Sequence, residues 1–460
     1  MALGLTYAQM VENRMLHIEE LMKDGNTGYS LPRPYQGIVI DSAASATQIA
    51  TGQRVRNETL GVDSKGYAIE TILEWAEREG LSTGLVTNMR VSHATPASFA
   101  AHQASRYVPE PDIVGDILGH DMEVLLGGGA RALVPTGHRV SEFLPGIPPD
   151  LDQMSNRRDS RNLLEEARSR GYVIVSDREA LAQQAGKAGK LLGFFSGTHL
   201  PFVVDQRHLG LERVPSLSEL TGAALDVVSG SQRGFFLMVE GGRIDYGGHD
   251  NDAGAMLHEI LEFDEAVGVG LEFQKTHPET LVIVTGDHGT GGFSFTYGDW
   301  GDREKITLPG GLVYETDHRY PSRVHLEMLA NQRASYQYIV EQAGGSPERL
   351  VETVKEFAGL TMTLEEARVA LARDSEGRAW TEDFRHFYGD QDYNPACLLG
   401  RALARHTYVV WSTGGHTIEP ILTFGRGPGA EDLRGVYPNT HLHDVMKAVL
   451  GTRGTSDSLD

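Results

Sequence analysis

The chain has 460 residues, of which 40% are hydrophobic, and its 41 basic and 63 acidic side chains give a formal net charge of -22. This acidity disfavours a general nucleic-acid binder, and no stretch approaches the roughly 20 apolar residues of a membrane-spanning helix. The length allows one large α/β domain or about three smaller ones, and the single cysteine, Cys397, excludes internal disulfides and cysteine zinc clusters.

Short apolar runs recur along the chain and predict buried strands. In chain order they are GIVI (37–40), GLVTN (84–88), YVIVS (172–176), FFLMV (235–239), LVIVTG (281–286), TYVVW (407–411) and PILTFG (420–425). The glycine-rich stretch LLGGGARALVP (125–135) is predicted to be a loop. It has neither the spacing nor the lysine of a phosphate-binding P-loop, so it is not a candidate nucleotide site.

Amphipathic helices are predicted between these strands. Over residues 68–78 the apolar positions follow the i, i+3, i+4, i+7 spacing of one helix face, namely Ile69, Ile72, Leu73 and Ala76. A second helix is predicted from about Ala253 to Phe273. The alternation predicts an α/β fold with a largely parallel central sheet and helices on both faces, in which chemistry lies at the carboxyl ends of the strands.

The alternation gives way to helices and loops over residues 297–404. Ser346 and Thr363 are predicted N-caps, with Glu348 and Glu366 in the first turns that follow. The strand run TYVVW comes after this region. We therefore interpret residues 297–404 as a mainly helical insertion within one catalytic domain that spans residues 1–460.

The first predicted strand leads into a carboxylate and a hydroxyl, in the stretch IVIDSAASATQIATG (38–52). Small side chains follow Asp41 and Ser42 for several positions and leave space around the hydroxyl. A serine must be activated to act as a nucleophile, and a metal ion is one means of activation. We therefore interpret Ser42 as a nucleophile and Asp41 as a ligand of the metal that activates it.

The strand GLVTN leads into three further candidates. The Thr95 hydroxyl suits a hard cation such as Mg²⁺, although an N-cap before Pro96 is the simpler role. Arg106 offers a rigid fork of donors that suits two phosphoryl oxygens, with a surface salt bridge as the alternative. His93 lies on the same stretch, VSHATPASFAAHQASR.

The stretch VEGGRIDYGGHDND follows the strand FFLMV and carries three possible metal ligands. Asp245 and His249 are four residues apart, so in a helix or tight turn they face one way and can bind one cation. Glu240 ends the strand and would point to a neighbouring site. An isolated D-x-x-x-H pair is more often a surface feature, but the glycines around it favour a sharp turn at the end of the strand.

Two more loops at strand ends carry histidine between glycines. Asp287 and His288 follow the strand LVIVTG directly, and His416 follows TYVVW in WSTGGHT. Any one of the 18 histidines is most simply a surface or core residue. Several such loops at the ends of predicted strands favour a shared metal site.

Six segments, in this order along the chain, together resemble the alkaline phosphatase family: DSAASATQIATG, VSHATPASFAAH, LLGGGAR, FFLMVEGGRIDYGGHDND, VIVTGDHGTGG and TGGHT. Each alone is a modest signal, whereas the ordered set, from Asp41 to His416, is specific. The resemblance implies hydrolysis of small-molecule phosphate monoesters through a phosphoserine, at a site with two Zn²⁺ and one Mg²⁺. Family members are commonly dimers, so a homodimer is a further expectation.

The resemblance also implies a role for each site residue. Ser42 would carry the phosphoryl group and Arg106 would clamp it, with His93 near the magnesium and the substrate. The implied metal ligands are Asp41, Asp287 and His288 for the zinc that activates Ser42, Asp245, His249 and His416 for the second zinc, and Thr95 and Glu240 for the magnesium.

The sequence departs from the family in two places. Members open with an apolar strand that ends in Asp-Gly-Met, and that Asp bridges a zinc and the magnesium. Met1 corresponds to that Met, so we expect a start codon assigned too late, which would also remove an export signal to the periplasm or the cell exterior. The stretch MALGLTYAQMVENR itself carries no signal sequence. Tyr246 stands where members often have Lys, His or Trp.

Two alternatives to a phosphomonoesterase stay open at this point. A phosphodiesterase or sulfatase of the same superfamily is disfavoured by Arg106, whose fork would collide with a second ester group, and by the absence of a Cys/Ser-x-Pro-x-Arg motif at Ser42. A non-catalytic metal or phosphate binder would result if the bridging Asp were truly missing.

Overall fold

The computed structural model describes residues 1–299, 305–373 and 394–451. Its α-helices are α1 (Ala2–Tyr7), α2 (His17–Asp24), α3 (Ser42–Thr51), α4 (Ile72–Arg78), α5 (Ala94–Ala97), α6 (Glu110–Ile117), α7 (Leu163–Ser169), α8 (Arg178–Gln184), α9 (Val203–His208), α10 (Leu217–Val228), α11 (Arg243–His249), α12 (Ala253–Thr276), α13 (Arg323–Ala330), α14 (Tyr336–Ala343), α15 (Pro347–Thr353), α16 (Leu364–Ala370), α17 (Asn394–Ala402), α18 (Ala404–Thr407) and α19 (His441–Gly451). Its strands are β1 (Asn26–Leu31), β2 (Ser82–Arg90), β3 (Val124–Gly128), β4 (Val173–Val175), β5 (Leu191–Phe194), β6 (Phe235–Glu240), β7 (Val282–Thr285), β8 (Gly289–Thr290), β9 (Ser294–Phe295), β10 (Lys305–Thr307), β11 (Val313–Glu315), β12 (Val409–Val410), β13 (His416–Thr417), β14 (Ile421–Arg426) and β15 (Gly435–Pro438).

The larger sheet consists of parallel strands in the order β4, β5, β3, β2, β6. Thr87 pairs with Glu240, so β6 ends beside the middle of β2. Helices cover both faces of this sheet. Neighbouring residues of a strand point to opposite faces, so they pack against different helices. Leu85 packs in a cluster with the apolar residues of α4 and α6, whereas Val86 packs with those of α10. The predicted α/β fold with a parallel central sheet is therefore confirmed.

A second sheet has four strands in the order β15, β1, β14, β7. β14 is antiparallel to both of its neighbours, and β1 is parallel to β15. The strands β7 and β14 match the predicted runs LVIVTG and PILTFG. β1 was not predicted, because its sequence NTGYSL has no apolar run.

The prediction of a strand over residues 37–40 is wrong. The chain bends over residues 35–39, and the Ile38 side chain is 69% exposed. Gly37 has a φ of 100°, a left-handed conformation that interrupts an extended run. The apolar run therefore enters neither sheet and leads instead to Asp41, the N-cap of α3.

Two other predicted segments differ in the structure. The supposed loop 125–135 contains most of β3, a central strand, where a Cβ on Gly128 would lie 2.0 Å from the carbonyl oxygen of Thr198. Glycine is thus required there by close backbone packing rather than by a turn. The run TYVVW yields only β12, which pairs with β9 in a separate two-stranded sheet and does not resume the main sheet.

Within the predicted insertion, helices α14 to α17 pack on an apolar cluster of their own that includes Ile339, Leu350 and Leu399. The predicted N-caps are confirmed: the Ser346 side chain accepts from the backbone N–H of Arg349, and Thr363 accepts from that of Glu366. The division of the chain into a domain and an insertion stays a prediction. Among the described residues, no helix combines the length and apolarity needed to cross a membrane.

Candidate active site

The predicted site residues meet where strands of both sheets end. β6 ends at Glu240, and the loop after β7 carries Asp287 and His288. The short strand β13 begins with His416 and pairs with β8, which directly follows His288. Ser42 is the first residue of α3, and its neighbour Ser45 donates to the main-chain carbonyl of Asp287 at 2.7 Å. One helix end and several strand ends thus face a single space.

Ser42 is 4% exposed, and its Oγ lies 2.9 Å from Nε2 of His288. The Asp287 carboxylate lies 3.1 Å from the same nitrogen. In a catalytic triad the carboxylate and the serine contact opposite nitrogens of the imidazole, so that a proton can pass through the ring. Here both contact Nε2. The arrangement therefore brings Ser42, Asp287 and His288 to one point in space, as a shared cation would require.

A second compact group is formed by Asp245, His249 and His416. One ligand atom from each lies within 4.8 Å of the others. α11 places Asp245 and His249 one turn apart, with His249 Nε2 3.3 Å from the Asp245 carboxylate. His416 Nε2 completes the group at 3.2 Å from His249 Nε2.

Main-chain carbonyls orient both imidazoles of this group. Nδ1 of His249 donates to the carbonyl of Gly414 at 2.6 Å, and Nδ1 of His416 donates to that of Ile40 at 2.9 Å. With the proton held on Nδ1, each ring directs the lone pair of Nε2 towards the other. Two lone pairs at 3.2 Å repel each other unless a proton or a cation lies between them.

The titration of the group shows the same need for positive charge. Burial opposes charging His249, but the Asp245 carboxylate outweighs it and raises the pKa of His249 to about 9. Burial and the charge of His288 lower the pKa of His416 to about 4. The Asp245 carboxylate therefore favours a positive charge beside these imidazoles, which a divalent cation would also supply.

A third group surrounds the buried carboxylate of Glu240. The Thr87 hydroxyl donates to it at 2.5 Å, and the Thr95 hydroxyl donates as well. Burial raises the pKa of Glu240 to about 7, and the carboxylates of Asp287 and Asp245 add to the rise. Thr95 thus lies beside Glu240, as predicted for a shared site, and Thr87 is a neighbour that the sequence did not single out.

The contacts of Asp41 contradict its predicted role as a metal ligand. Oδ1 accepts from the backbone N–H of Ala44 at 3.0 Å and of Glu58 at 2.9 Å. Oδ2 accepts from the N–H of Ala43 at 3.3 Å and from Nη1 of Arg106 at 3.1 Å. Four donors occupy the two oxygens, so the carboxylate serves as the N-cap of α3 and as the anchor of the Arg106 guanidinium.

His93 lies next to that guanidinium, with its Nε2 3.4 Å from Nη2 of Arg106. His199, which sequence reasoning missed, packs edge-on against His93 and lies 3.2 Å from the hydroxyl of Tyr246. Burial and the nearby cations Arg106 and Arg90 hold the pKa of His93 well below its usual range. The signal that could have found His199 is its position after β5, a strand that was itself not predicted.

The donor sets of these groups differ in the kind of divalent cation that they suit. Imidazoles with carboxylates, as in the Asp245 group and the Asp287–His288 group, suit Zn²⁺. The oxygen-only donors of Glu240 and Thr95 suit Mg²⁺. Among the described residues, Nδ1 of the buried His93 has no hydrogen-bond partner, which leaves a polar atom available at the edge of this region.

Comparison with known proteins identifies the relatives of this chain. A family model described as alkaline phosphatase matches residues 6–452. Alkaline phosphatase 4 of Bacillus subtilis (strain 168) is 30% identical over 420 residues, which cover 90% of this chain and 77% of that protein. The repressible alkaline phosphatase of Saccharomyces cerevisiae is 36% identical over 473 residues, which cover 94% and 77%.

Solved structures show the same similarity. The crystal structure of Thermus thermophilus alkaline phosphatase is 29% identical, with a TM-score of 0.81 over 98% of this chain and 88% of that chain. Two variants of the alkaline phosphatase of the Antarctic bacterium TAB5, both solved with Mg bound, are 22% identical with a TM-score of 0.62 over 98% and 94% of the chains. At that identity the likeness concerns the fold alone.

Proposed function

The chain belongs to the alkaline phosphatase family, a family of metal-dependent phosphoric monoester hydrolases, and from this premise we propose that it works through a phosphoserine formed on Ser42. One observation carries the proposal. Ser42 Oγ lies at the N-terminus of α3, 2.9 Å from Nε2 of His288, the nitrogen that the Asp287 carboxylate also contacts.

We assign Zn²⁺ to the Asp245–His249–His416 group, a second Zn²⁺ to Asp287 and His288, and Mg²⁺ to Glu240 and Thr95. When bound, such cations lower the pKa of an attacking hydroxyl and neutralise charge on the leaving oxygen. The proposal rests on the converging donors and on the single-nitrogen contacts of His288, which do not form a proton relay.

Arg106 and α3 would bind the phosphoryl group. The guanidinium fork matches two phosphoryl oxygens, and Asp41 holds it at 3.1 Å on the side of Ser42, the next residue along the chain. The 10-residue helix α3 begins at Ser42, so its positive end faces a phosphate on that hydroxyl, while Asp41 accepts from the N–H groups of Ala43 and Ala44 in its first turn. His93, in contact with Arg106, would support this site.

The reaction would proceed in two displacements. Ser42 Oγ attacks phosphorus, the bond from phosphorus to the ester oxygen breaks, and the alcohol leaves with the proton that Ser42 gives up. Water then attacks the phosphoserine from the side opposite Oγ, the bond from phosphorus to Oγ breaks, Oγ takes up a proton from that water, and inorganic phosphate leaves. Positioning and charge neutralisation dominate such transfers. A dimeric assembly and export from the cytoplasm, both implied by the resemblance, stay predictions.

Labelling of the nucleophile tests this proposal directly. The metal-loaded protein is mixed with an aryl phosphate, quenched in acid and digested, and phosphopeptides are mapped by mass spectrometry. We expect phosphate on Ser42 and no turnover by Ser42→Ala. The matched control is Ser169→Ala, an exposed serine at the end of α7, which should turn over normally. Full activity of Ser42→Ala, or label on another residue, would refute the assignment.

A further inference from the structure

The three side chains of the Asp245 group come from two segments that are far apart in the sequence. α11 supplies Asp245 and His249, and β13 begins with His416. Nε2 of His249 lies 3.2 Å from Nε2 of His416. Two ligands of a tetrahedral Zn²⁺, each about 2.0–2.1 Å from the metal, lie about 3.3 Å apart. The separation of the two segments therefore matches one shared cation, and contacts between the segments must maintain it.

The carboxamide of Asn251 joins these two segments. Its Nδ2 donates to the main-chain carbonyl of Gly248 at 2.9 Å and to that of Thr413 at 2.9 Å. Gly248 directly precedes His249. Thr413 directly precedes Gly414, whose carbonyl orients the imidazole of His249. The amide has only two N–H groups, so both are used to bridge the segments.

The orientation of this amide follows from its neighbours. Asn251 is 1% exposed, and among the described residues its Oδ1 has no hydrogen-bond partner. A flipped amide would be worse, because its oxygen would then face two carbonyl oxygens. A buried polar atom without a partner costs free energy. The side chain thus makes the bridge although its own oxygen stays unpaired, which favours a positional role over a stabilising one.

The backbone of Asn251 adds a second requirement. Its φ is 51°, in the left-handed region, where asparagine is found more often than most other residues with a side chain. This conformation lets the chain leave α11 and begin α12 after its N-cap Asp252, whose N–H donates to the carbonyl of Gly247 at 2.9 Å. Glycine would also adopt this conformation but would lack the amide, so a substitution can separate the two requirements.

Helix α17, which lies in the predicted insertion, contacts the other side of this loop. The Cys397 thiol donates to the main-chain carbonyl of His249. Three residues further along α17, a Cβ on Gly400 would lie 2.3 Å from the carbonyl oxygen of Asn251. A backbone oxygen cannot move aside as the end of a flexible side chain can, so this close contact requires glycine. The loop that follows His249 is therefore held between α17 and Thr413.

We propose that Asn251 is a positioning residue for the Asp245 group: its carboxamide keeps the two ligand-bearing segments at the separation at which one Zn²⁺ binds both imidazoles, and α17 holds the loop in place. The identity of the cation rests on the proposed function, whereas the bridge is a property of the chain itself. Groups that orient a metal ligand without touching the metal typically change the metal affinity by about tenfold to a hundredfold when they are removed.

Two substitutions of Asn251 test the bridge. Asn251→Gly keeps the left-handed backbone and removes both hydrogen bonds, and Asn251→Asp keeps the shape but turns an oxygen towards the two carbonyls. We expect both variants to bind zinc about tenfold to a hundredfold more weakly in competition with a chromogenic chelator. The matched control is Asn13→Gly, an exposed asparagine with a φ of 52°, which should bind zinc as the unmodified protein does.

The absorption spectrum of bound Co²⁺ distinguishes positioning from a general loss of stability. Co²⁺ takes the place of Zn²⁺, and its visible bands depend on the arrangement of the ligands. We expect these bands to shift in Asn251→Gly that is fully folded by circular dichroism, and to stay unchanged in Asn13→Gly. A lower melting temperature with an unchanged Co²⁺ spectrum and unchanged zinc affinity would mean a structural role only and would refute the proposal.

The contact from α17 is tested with a matched pair of helical glycines. In Gly400→Ala the new Cβ must displace the carbonyl of Asn251, so we expect at least about tenfold weaker zinc binding. Gly115→Ala places the same methyl group in α6, where nothing lies within 4 Å of it, and should leave zinc binding unchanged. Equal zinc affinities in these two variants would show that α17 does not hold the loop.

His249→Ala separates this proposal from the proposed function. Zinc binding by His249→Ala as tight as in the unmodified protein would mean that the metal assignment itself is wrong, and the proposal would fall with it. Weaker binding by His249→Ala, together with unchanged binding by both Asn251 variants, would leave the metal group in place and would overturn the positioning role of Asn251 alone.

Discussion

Nη1 of Arg106 lies 3.1 Å from Oδ2 of Asp41, and the same carboxylate caps the helix that begins with Ser42. The cation that would bind phosphate is thus fixed to the residue directly before the proposed nucleophile. Geometry between the two catalytic groups depends on one carboxylate, which itself has no oxygen left for a metal.

Replacing Asp41 tests whether its carboxylate positions Arg106 or binds a metal ion. We expect Asp41→Asn to lower kcat/KM by about tenfold to a hundredfold, because a misplaced guanidinium no longer matches the phosphoryl oxygens. Bound zinc, measured by plasma mass spectrometry, should stay unchanged. A loss of one equivalent of zinc would restore the original prediction that Asp41 is a metal ligand.

His416 should be required for metal binding. In His416→Ala the Asp245 group loses one of its three ligands, so we expect at least about a hundredfold weaker zinc binding and a matching loss of activity at limiting metal. Competition with a chromogenic chelator measures the affinity. The control is His138→Ala, a half-exposed histidine in another region, which should bind zinc as the unmodified protein does. Equal affinities in the two variants would exclude His416 as a ligand.

Magnesium binding at Glu240 should depend on pH and on Thr87. Because the carboxyl has a pKa of about 7, protons compete with the cation below that value, and the apparent Mg²⁺ affinity should fall as pH drops through 7. Thr87→Val removes a donor to Glu240 and should weaken Mg²⁺ binding by about tenfold.

The matched control for Thr87→Val is Thr83→Val. Thr83 lies four residues earlier in the same buried strand, and its hydroxyl donates to Glu77 instead. Calorimetric titration of zinc-loaded protein with Mg²⁺ distinguishes the two. Equal Mg²⁺ affinities in both variants would remove Thr87 from the magnesium site.

The pair His102–Glu74 lies outside the proposed metal sites and should make the free energy of unfolding depend on pH. Its hydrogen bond of 2.8 Å raises the pKa of His102 and, against the effect of burial, lowers that of Glu74. A raised histidine pKa stabilises the fold fully below its unfolded value of about 6.5, and this contribution is lost as pH rises through the folded value.

Denaturant unfolding of His102→Gln measures this contribution. We expect the variant to lose about 0.5–1 kcal/mol more of the unfolding free energy at pH 6 than at pH 9, since the pair is partly exposed. His138→Gln, which breaks a more exposed pair with Glu142, should show a much smaller difference. A loss in His102→Gln that is the same at both pH values would contradict the charge-dependent role.

The sequence predicted the parts of the site that depend on local pattern. Asp245 and His249 face one way because four residues make one helical turn, and Asp287 follows a strand that is apolar enough to recognise. The fold class followed from the alternation of helices and strands. Helical spacing and apolar runs can be recognised within a few consecutive residues, without knowing which residues far away in the sequence they contact.

The wrong predictions concern residues whose conformation or role is determined by contacts with residues far away in the sequence. GIVI is apolar enough for a strand, yet Gly37 turns the chain away from both sheets. Gly128 looks like part of a loop, but its missing side chain is what lets the carbonyl of Thr198 approach β3. The role of Asp41 depended on donors from Glu58 and Arg106, which no local pattern connects to it.

The imidazoles of His249 and His416 take their orientation from oxygens of the polypeptide backbone, at Gly414 and Ile40. Every amino acid supplies such an oxygen, so no point substitution at either position deletes the acceptor. A change that moves the backbone, such as an insertion or a deletion in either loop, would instead displace the acceptor and turn the ring. The orientation of the two rings thus depends on the path of the backbone at these positions and not on the hydrogen-bonding capacity of their side chains.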